Sequence, residues 1–321
     1  MVNPKLLHPL QSEAWQPIYP NTHRLIAAGT PTNIRLVSPA YSKMPYAIIT
    51  RPGNRSWDTD GWLQDITLAV SELGVSHLVI EPDGRYLPAG RTLEGFIVSS
   101  APGLTSRYSA VLDLSPSEEE LLASCSKSHR QNIRKAIKNG LQFEIFTEGT
   151  AGIERFVAIV ESMSTSKSFV QYSSAHIENV WQAMSDASSA YIVIGTYEGQ
   201  DVGGYMVVHN GQEAYQLYGG RTQAGRDNRL AQAIGFEALL QAKRLGIRHY
   251  DMWGIGRFDS GGPDKDDEKY GIGKFKLAYG SIPYDHGPNL EHIFDQKAYD
   301  RAKLTAKLSQ KKLTIKKKLS R

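Results

Sequence analysis

The chain has 321 residues, of which 40% are hydrophobic and 22% charged, so it is long enough for two globular domains of ordinary composition. It has no apolar run of about 20 residues, so we expect no transmembrane helix. Its single cysteine, Cys125, excludes an intrachain disulfide and a thiolate metal cluster. The first residues lack the basic and apolar regions of a signal peptide, and we therefore expect a cytoplasmic protein.

The positive charge of the chain is local. Nine Lys and Arg residues and no acid fall within residues 301–321, so residues 1–300 have a formal charge of −5, against +4 for the whole chain. Apolar residues recur near one side of a helix in this segment, at Leu304, Leu308, Ile315 and Leu319. The pattern predicts a basic amphipathic helix. Its charge indicates what this segment binds and not what residues 1–300 bind.

The N-terminal half is predicted to consist mainly of strands. Residues 1–30 show no clear period and are interpreted as a loop and a short helix. Apolar alternation then predicts strands at 34–37, 46–50, 77–81, 92–100, 107–114 and 141–146, and one helix at 62–73 that stops at Gly74.

The clearest helix start is Ser115-Pro116-Ser117-Glu118, in which Ser115 can cap and Glu118 can complete a capping box. The helix runs to Gly140, and a break near residues 124–128 is an open alternative. Its second half carries five cations, at Lys127, Arg130, Arg134, Lys135 and Lys138. This face is either solvated or meets phosphate.

A second series of predicted helices and strands begins at residues 147–150. Helices are predicted at 153–164, 176–185 and 228–245, and strands at 191–197, 202–209, 213–218 and 247–253. This order is typical of a Gcn5-related N-acyltransferase domain, and the N-terminal half can be interpreted as a looser version of it. The predicted fold is therefore α/β (α+β), with an N-terminal domain at 1–146, a C-terminal domain at 147–291 and a basic C-terminal helix at 292–321.

A glycine-rich segment follows the last of these strands. Four glycines interrupt regular structure, and the six residues 264–269 are all charged, which predicts an exposed loop. Order resumes at Tyr270, just before Lys274-Phe275-Lys276. A strand end, a mobile loop and a returning basic-aromatic segment are typical of an active-site lid, and a plain surface excursion is the alternative.

A phosphate site is predicted at the turn before the long helix. Acyltransferases of this type carry Gln/Arg-x-x-Gly-x-Gly/Ala there, and its backbone N–H groups hold the pyrophosphate of coenzyme A. In this chain the matching residues are 226–231, and Arg229 replaces the middle glycine. A phosphate would then bind through the side chains of Arg226 or Arg229. This substitution favours a phosphate-bearing substrate over an acyl-coenzyme A donor, and two surface arginines are the alternative.

Asp113, at the end of a predicted strand, is a second candidate. It could accept a proton from an amine, anchor a substrate amide, or cap the helix that follows. The nine histidines show no metal-ligand spacing, and no nucleophile motif is present. We expect no metal and no cofactor.

The chain contains an ordered series of motifs: residues 108–115 (YSAVLDLS), 127–136 (KSHRQNIRKA) with Gly140, 217–220 (LYGG), Glu237-Ala238, Gly246, 250–255 (YDMWGI), Phe275-Lys276 and Tyr279-Gly280. Taken together, these stretches resemble the Fem family of aminoacyltransferases, which build peptidoglycan cross-bridges. The resemblance runs from about Phe96 to the C-terminus. No long coiled-coil insertion is present, as in the compact members of the family.

The resemblance implies a peptidoglycan precursor, an aminoacyl-tRNA donor and a C-terminal helix that packs back on the first domain. The acceptor would be a stem-peptide amino group on UDP-MurNAc-pentapeptide or lipid II. By position, the acceptor-site residues would be Tyr108, Asp113 and Tyr250. Phe275-Lys276 would be the pair whose lysine stabilises developing negative charge and meets the tRNA end.

The chain also departs from the family pattern. Gln232 stands where the family often has a tyrosine, and Arg51-Pro52-Gly53 replaces an Arg-Gly-Pro turn. The N-terminal phosphate contacts would fall to Lys43 or Arg51.

The predicted function is aminoacyl-tRNA-dependent transfer of an amino acid to the precursor by a monomer. The basic tail would be a docking face, either for the aminoacyl-tRNA or for the inner membrane surface. The alternatives are an acyl-coenzyme A-dependent N-acetyltransferase, or a tRNA/RNA-binding module without catalysis.

Overall fold

The computed structural model describes residues 7–38, 44–53, 61–84, 93–99, 103–163, 172–259 and 262–304. Contacts along the chain divide it into two units. Unit 1 comprises Met1–Arg107 and His286–Arg321, and unit 2 comprises Tyr108–Asp285. Within the described ranges, no helix has the length and apolar character needed to cross a membrane.

The described strands are numbered in chain order: β1 Thr22–Ala27, β2 Thr30–Val37, β3 Tyr46–Thr50, β4 His77–Glu81, β5 Ile97–Ser99, β6 Tyr108–Asp113, β7 Gln142–Phe146, β8 Ala190–Tyr197, β9 Gln200–His209, β10 Glu213–Arg221, β11 His249–Ile255, β12 Phe258–Asp259, β13 Gly262–Pro263, β14 Ile282–Asp285 and β15 Asn289–Ile293. The helices are α1 Trp62–Ser71, α2 Glu118–Ser124, α3 Lys127–Lys138, α4 Ala151–Ser162, α5 Ser174–Asp186, α6 Gln223–Asp227, α7 Ala231–Arg244, α8 Tyr270–Leu277 and α9 at 296–304.

Unit 1 is built on a six-stranded sheet in the order β1-β2-β3-β4-β15-β5. Only β3 and β4 are parallel, and the other neighbours are antiparallel. The core includes apolar residues of α1 and of the sheet, among them Ile49, Trp62, Ile66 and Leu78, all fully buried.

Strand β1 was not predicted, because residues 1–30 were interpreted as a loop and a short helix. The structure has 3₁₀ turns at Pro9–Gln11 and Gln16–Ile18, followed by β1. Ala28 and Gly29 both have positive φ angles, 44° and 74°, and so form the tight hairpin that pairs β1 with β2. The strand lies at a sheet edge and its burial pattern is irregular, so its sequence does not alternate cleanly.

Unit 2 is built on a seven-stranded sheet in the order β14-β6-β11-β10-β9-β8-β7. Helices cover both faces. A Cβ at Gly203 would meet Ile234 of α7, and one at Gly204 would meet Phe156 of α4. Adjacent residues of a strand point to opposite faces, so α7 and α4 lie on opposite sides of the sheet.

The unit 2 sheet opens between β10 and β11. These parallel strands pair only from Glu213↔His249 to Tyr215↔Asp251, although β10 continues to Arg221 and β11 to Ile255. Beyond that point β11 pairs only with β6, and its register with β6 shifts between Asp251 and Gly254. This bulge bends the strand and leaves an open end of the sheet.

The division into units differs from the predicted domain boundaries of 146/147 and 291/292. Strand β6 pairs with β11 and β14, and β7 pairs with β8, so both lie in unit 2. Apolar periodicity marks a strand without saying which sheet the strand joins. The change of pattern near residue 150, which was interpreted as a domain boundary, marks only the beginning of α4.

The segment predicted as a C-terminal helix begins differently from the prediction. Strand β15 inserts between β4 and β5 of unit 1, and α9 follows it. Tyr299 donates to Glu291 at 2.6 Å and Lys303 to the same carboxylate at 2.9 Å, so α9 packs on this sheet. Residues 305–321, and most of the predicted basic helix, lie outside the described residues.

The predicted helix at 115–140 is two helices, α2 and α3, with the break inside the predicted interval. Its capping box uses Ser117 and Glu120 and not Ser115 and Glu118. The reason lies in Asp113, whose carboxylate accepts hydrogen bonds from the backbone N–H and the hydroxyl of Ser115 at 2.9 Å each. Ser115 is therefore held in the turn before the helix.

Candidate active site

Lys276 lies at the open end of the unit 2 sheet. It is carried by α8, which packs on β11, and its Nζ donates to the carbonyl oxygen of Gly254 at 3.0 Å. Gly254 in turn lies opposite Ser109 of β6. Burial lowers the pKa of Lys276 to about 8, opposed by the carboxylate of Asp251 and assisted by the positive charge of Lys269.

Asp251 fixes the backbone that Lys276 contacts. Its side chain is 3% exposed, its Oδ1 accepts from the N–H of Trp253 at 2.7 Å, and its Oδ2 accepts from the hydroxyl of Ser109 at 3.1 Å. Trp253 has a φ of 66°, which bulky residues rarely adopt. Asp251 therefore stabilises both the bulge and the position of Gly254. Sequence reasoning missed it, and the only signal was a single carboxylate in a strand that is mostly apolar or aromatic.

An ammonium with a lowered pKa, placed beside a carbonyl in a partly buried position, suits transition-state stabilisation. It remains mostly protonated at neutral pH, and it can donate to an oxygen that becomes negative during acyl transfer. Within the described part of the chain, no cluster of three or more His, Cys, Asp or Glu side chains could hold a metal ion.

Tyr108 and Phe275 belong to the surroundings of Lys276. Tyr108 begins β6, pairs in register with Ile255 and packs its ring against Phe258 at 5.1 Å. Phe275 contacts the rings of His129 and Tyr279, at 5.2 and 5.5 Å, so α8 is anchored on α3. The structure thus brings these two predicted residues to the same end of the sheet as the lysine.

The predicted lid consists of a short hairpin, β12-β13, followed by a charged loop that leads into α8. Arg257 forms ion pairs with Asp264 at 2.9 Å and Asp267 at 3.5 Å. Four of the six charged residues are exposed, as predicted, whereas these two aspartates are partly buried.

Asp113 lies away from Lys276. It ends β6, five residues beyond Tyr108, and pairs with His249 at the beginning of β11. At about 3.3 Å per residue, the two ends of β6 are roughly 16 Å apart. The hydrogen bonds from Ser115 lower the pKa of this exposed carboxyl. The structure therefore shows Asp113 in a turn, and a direct role beside Lys276 does not fit this position.

Tyr250 does not have the predicted environment. It is fully buried, and its hydroxyl donates to Gln216 Oε1 at 2.9 Å. Burial raises its pKa well above the usual value. The prediction that Tyr250 faces the acceptor is therefore corrected: in this strand Tyr250 is a core residue, and its neighbour Asp251 faces the bulge.

Arg229 lines a polar cavity of about 170 Å³ between α3 and the beginning of α7. The lining residues are Asn132, Lys135, Ala136, Asn139, Tyr197, Asp227, Asn228, Arg229 and Leu230. Neither Lys135 nor Arg229 has an ion-pair partner among the described residues. Arg226 is exposed on α6 and is not among the lining residues, so only one of the two predicted arginines lies in the cavity.

The backbone at Arg229 explains why a glycine would suit this position. Leu230 N–H donates to Gly225 O at 2.9 Å and Arg229 N–H to Arg226 O at 3.1 Å, which closes the end of α6. Arg229 sits at the left-handed position with a φ of 55°. Because the N–H groups of Arg229 and Leu230 already have acceptors, these two groups are not available to an anion in the cavity.

Of the two N-terminal phosphate candidates, Lys43 lies outside the described residues. Arg51 is 3% exposed, and its guanidinium donates to the carbonyl oxygens of Pro82 and Ser106. These bonds tie two loops of unit 1 together. The prediction of a phosphate contact for Arg51 is corrected to a structural role.

Comparison with known proteins bears on both the family and the fold. The FemAB family model matches residues 88–200. The resemblance to the Fem family is confirmed. A lipid II:glycine glycyltransferase of Staphylococcus epidermidis is 28% identical over 123 residues, which cover 38% of this chain and 29% of that protein. The match thus spans less than a third of the length of this relative.

Two solved structures are similar over most of the chain. The crystal structure of FemX has a TM-score of 0.77 at 16% identity and covers 91% of this chain and 94% of its own. A tandem GNAT protein from the clavulanic acid biosynthesis pathway has a TM-score of 0.51 at 15% identity, with 86% and 84% covered. These likenesses confirm the predicted α/β fold, with two tandem domains folded like Gcn5-related acyltransferases.

Proposed function

We propose that this Fem-like chain transfers an aminoacyl group from an aminoacyl-tRNA to a stem-peptide amino group of a peptidoglycan precursor. The acceptor is UDP-MurNAc-pentapeptide or lipid II. The observation that carries the proposal is the Lys276 ammonium, held against Gly254 at the open end of the unit 2 sheet. Sequence similarity to a lipid II:glycine glycyltransferase over 123 residues supports the class of reaction.

The chemistry needs no covalent enzyme intermediate, since an aminoacyl ester is already activated. The neutral acceptor amine attacks the ester carbonyl carbon, whose oxygen becomes negative. The new C–N bond then persists while the C–O bond to the tRNA 3′-oxygen breaks, and the proton lost by the amine compensates the charge of the leaving oxygen. Lys276 donates a hydrogen bond to the carbonyl oxyanion and stabilises the departing oxygen.

The remaining predicted residues take supporting roles in this proposal. Tyr108 and Phe275 contact the substrates near Lys276, and Arg229 with Lys135 meets the diphosphate of the precursor in the polar cavity. Arg226 and Asp113 act at a distance from the lysine, by attracting the phosphates and orienting the peptide. The protein acts as a cytoplasmic monomer whose basic tail touches the inner membrane surface.

The decisive experiment incubates purified protein with a pool of aminoacyl-tRNAs and UDP-MurNAc-pentapeptide, followed by mass spectrometry of the precursor. We expect a mass increase of one aminoacyl residue that depends on both substrates. A parallel reaction supplies acetyl-coenzyme A in place of tRNA. An acetylated product there, with no aminoacylated product in the first reaction, would instead identify an N-acetyltransferase.

A further inference from the structure

Helix α3 presents a row of cations to solvent. Lys127, Arg134 and Lys138 are exposed, and offsets of 7 and 11 residues place them on one side of the helix. None of the three has an ion pair with a described residue, and α3 contains no acid. We call these three residues the α3 basic face.

This arrangement is unfavourable for the isolated protein. Lys127 is the first residue of α3, where the positive end of the helix dipole repels a cation. Arg134 and Lys138 are four residues apart, so their like charges repel each other. Residues 1–300 carry a formal charge of −5, so the face also differs in sign from the chain around it. A polyanionic partner would relieve all three effects.

The side of α3 opposite the α3 basic face packs against residues of the candidate active site. His129 is 6% exposed, and its ring lies 5.2 Å from that of Phe275 and 4.9 Å from that of Tyr279. Phe275 is the neighbour of Lys276 on α8. A polyanion lying along the outer side of α3 would therefore be separated from α8, which carries Lys276, by the width of this one helix.

We propose that the α3 basic face binds the phosphate backbone of the donor tRNA, an inference that rests on the proposed function. The phosphates of an RNA duplex are regularly spaced and accept hydrogen bonds from Lys and Arg without base recognition. One helix face reaches only a few of them, so this surface contributes part of the tRNA affinity and directs the acylated end toward Lys276.

The α3 basic face is less suited to a membrane surface than to RNA. Helices that lie on membranes place large apolar or aromatic residues opposite or among their cations. Of the apolar residues on α3, only Ile137 is strongly exposed, at 54%, and the flank toward the cavity carries the amides of Asn132 and Asn139. Amide groups suit directed hydrogen bonds to phosphate or ribose.

The test uses the full-length double variant Arg134→Gln/Lys138→Gln and measures its binding to unacylated tRNA by fluorescence anisotropy across a salt series. Removing one cation that neutralises a phosphate should flatten the slope of log K against log salt by roughly 0.7–0.9, so removing the pair should flatten it by about 1.4–1.8. The control variant Arg248→Gln/Lys297→Gln removes two exposed cations from other segments. It should keep nearly the wild-type slope, and Arg134→Lys/Lys138→Arg should keep both slope and affinity.

Four outcomes separate the possible roles of this face. An unchanged tRNA slope in the α3 double variant overturns the inference, and so does a loss confined to binding of vesicles that contain phosphatidylglycerol. If wild type transfers an aminoacyl group and the α3 double variant has an unchanged KM for tRNA, the inference fails while the proposed function stands. If wild type transfers nothing but its RNA binding depends on Arg134 and Lys138, the face is supported and the proposed function fails.

Discussion

At the scale of single residues, Lys276 combines two properties that a surface lysine lacks. Its ammonium is partly desolvated, and it has a fixed acceptor in Gly254 O. Desolvation strengthens a donor's interaction with a charge that appears only during the reaction. A lysine of this kind contributes to the transition state more than to the binding of substrates.

The first prediction concerns its removal. Lys276→Met should lower kcat by about 10²–10³, the usual effect of losing one oxyanion donor, and should leave precursor affinity nearly unchanged. Single-turnover transfer and calorimetric binding of the precursor measure the two quantities. Wild-type turnover in the variant would exclude the proposed role.

The second prediction concerns pH. Only the ammonium form of Lys276 donates, so the transfer rate should fall as pH rises through about 8. The Asp251 carboxylate raises the pKa of Lys276, whereas burial and Lys269 lower it. Asp251→Asn removes the charge that favours the ammonium, so the falling limb of the pH–rate profile should move to lower pH.

A matched control separates charge from structure in this experiment. Ser109→Ala removes one hydrogen bond to Asp251 and leaves its charge in place. The falling limb of this variant should stay at the wild-type pH, even if the protein becomes less stable. Equal profiles for Asp251→Asn and wild type would mean that the carboxylate does not tune the lysine.

For single residues, the sequence predicted the chemical role of a side chain better than the surroundings of that side chain in the fold. Lys276 and Arg229 were found because one follows a glycine-rich segment and the other occupies a glycine position. Arg51 and Tyr250 are buried, so they do not make the predicted substrate contacts. Whether a residue is buried depends on which strands become neighbours. Asp251 was missed for the same reason: its partners, Ser109 and Trp253, meet only when β6 pairs with the bulged β11.

At the scale of elements, the turn between α6 and α7 holds a residue, Arg229, that is both conformationally strained and positively charged. Arg229 adopts the left-handed conformation that closes α6, which costs an ordinary residue about 1 kcal/mol relative to glycine. A residue that keeps such strain and also lines a polar cavity is a candidate for ligand binding.

The third prediction tests this corner with Arg229→Gly. The glycine relieves the strain but has more freedom in the unfolded chain, so the free energy of unfolding should stay unchanged or rise by up to about 1 kcal/mol. Precursor affinity should fall, because the guanidinium is lost. Denaturant unfolding and calorimetry measure the two effects, with Arg229→Lys as the variant that keeps the charge. Clear destabilisation together with full precursor affinity would contradict the assignment.

Most elements of both sheets could be predicted because their apolar residues follow the period of a strand or a helix. Strands β3 and β4 have the predicted bounds. Sheet membership could not be predicted in this way. It is set by pairing across long stretches of chain, such as β6 with β11 and β15 with β4, and periodicity within one segment carries no information about it.

At the scale of the whole molecule, unit 1 depends on the C-terminal part of the chain. Strand β15 separates β4 from β5 in the six-stranded sheet, and Leu290 contributes to its core. Removing this strand would leave the facing edges of β4 and β5 without partners, and buried unpaired backbone groups are strongly destabilising.

The fourth prediction compares two truncations. A chain ending at Asp285 should lose hydrogen-exchange protection in β3 and β4, whereas a chain ending at Leu304 should keep it. Both lack residues 305–321, so their difference reports residues 286–304, which hold β15, α9 and the contact between His286 and Asp83. Peptides from β8 and β9 of unit 2 serve as the internal reference and should stay protected in both. Equal protection of β3 and β4 in the two chains would contradict the structural role of β15.

The order of the strands also affects how the protein forms during translation. Tyr108 and Asp285, the two ends of unit 2, are register partners in the same sheet, so unit 2 is one uninterrupted piece of chain with adjacent termini. Unit 1 encloses it in the sequence, and the sheet of unit 1 is incomplete until β15 has left the ribosome. Domains generally fold as units during synthesis. We therefore expect the later-coded unit 2 to become protease-resistant on the ribosome before the N-terminal segment does.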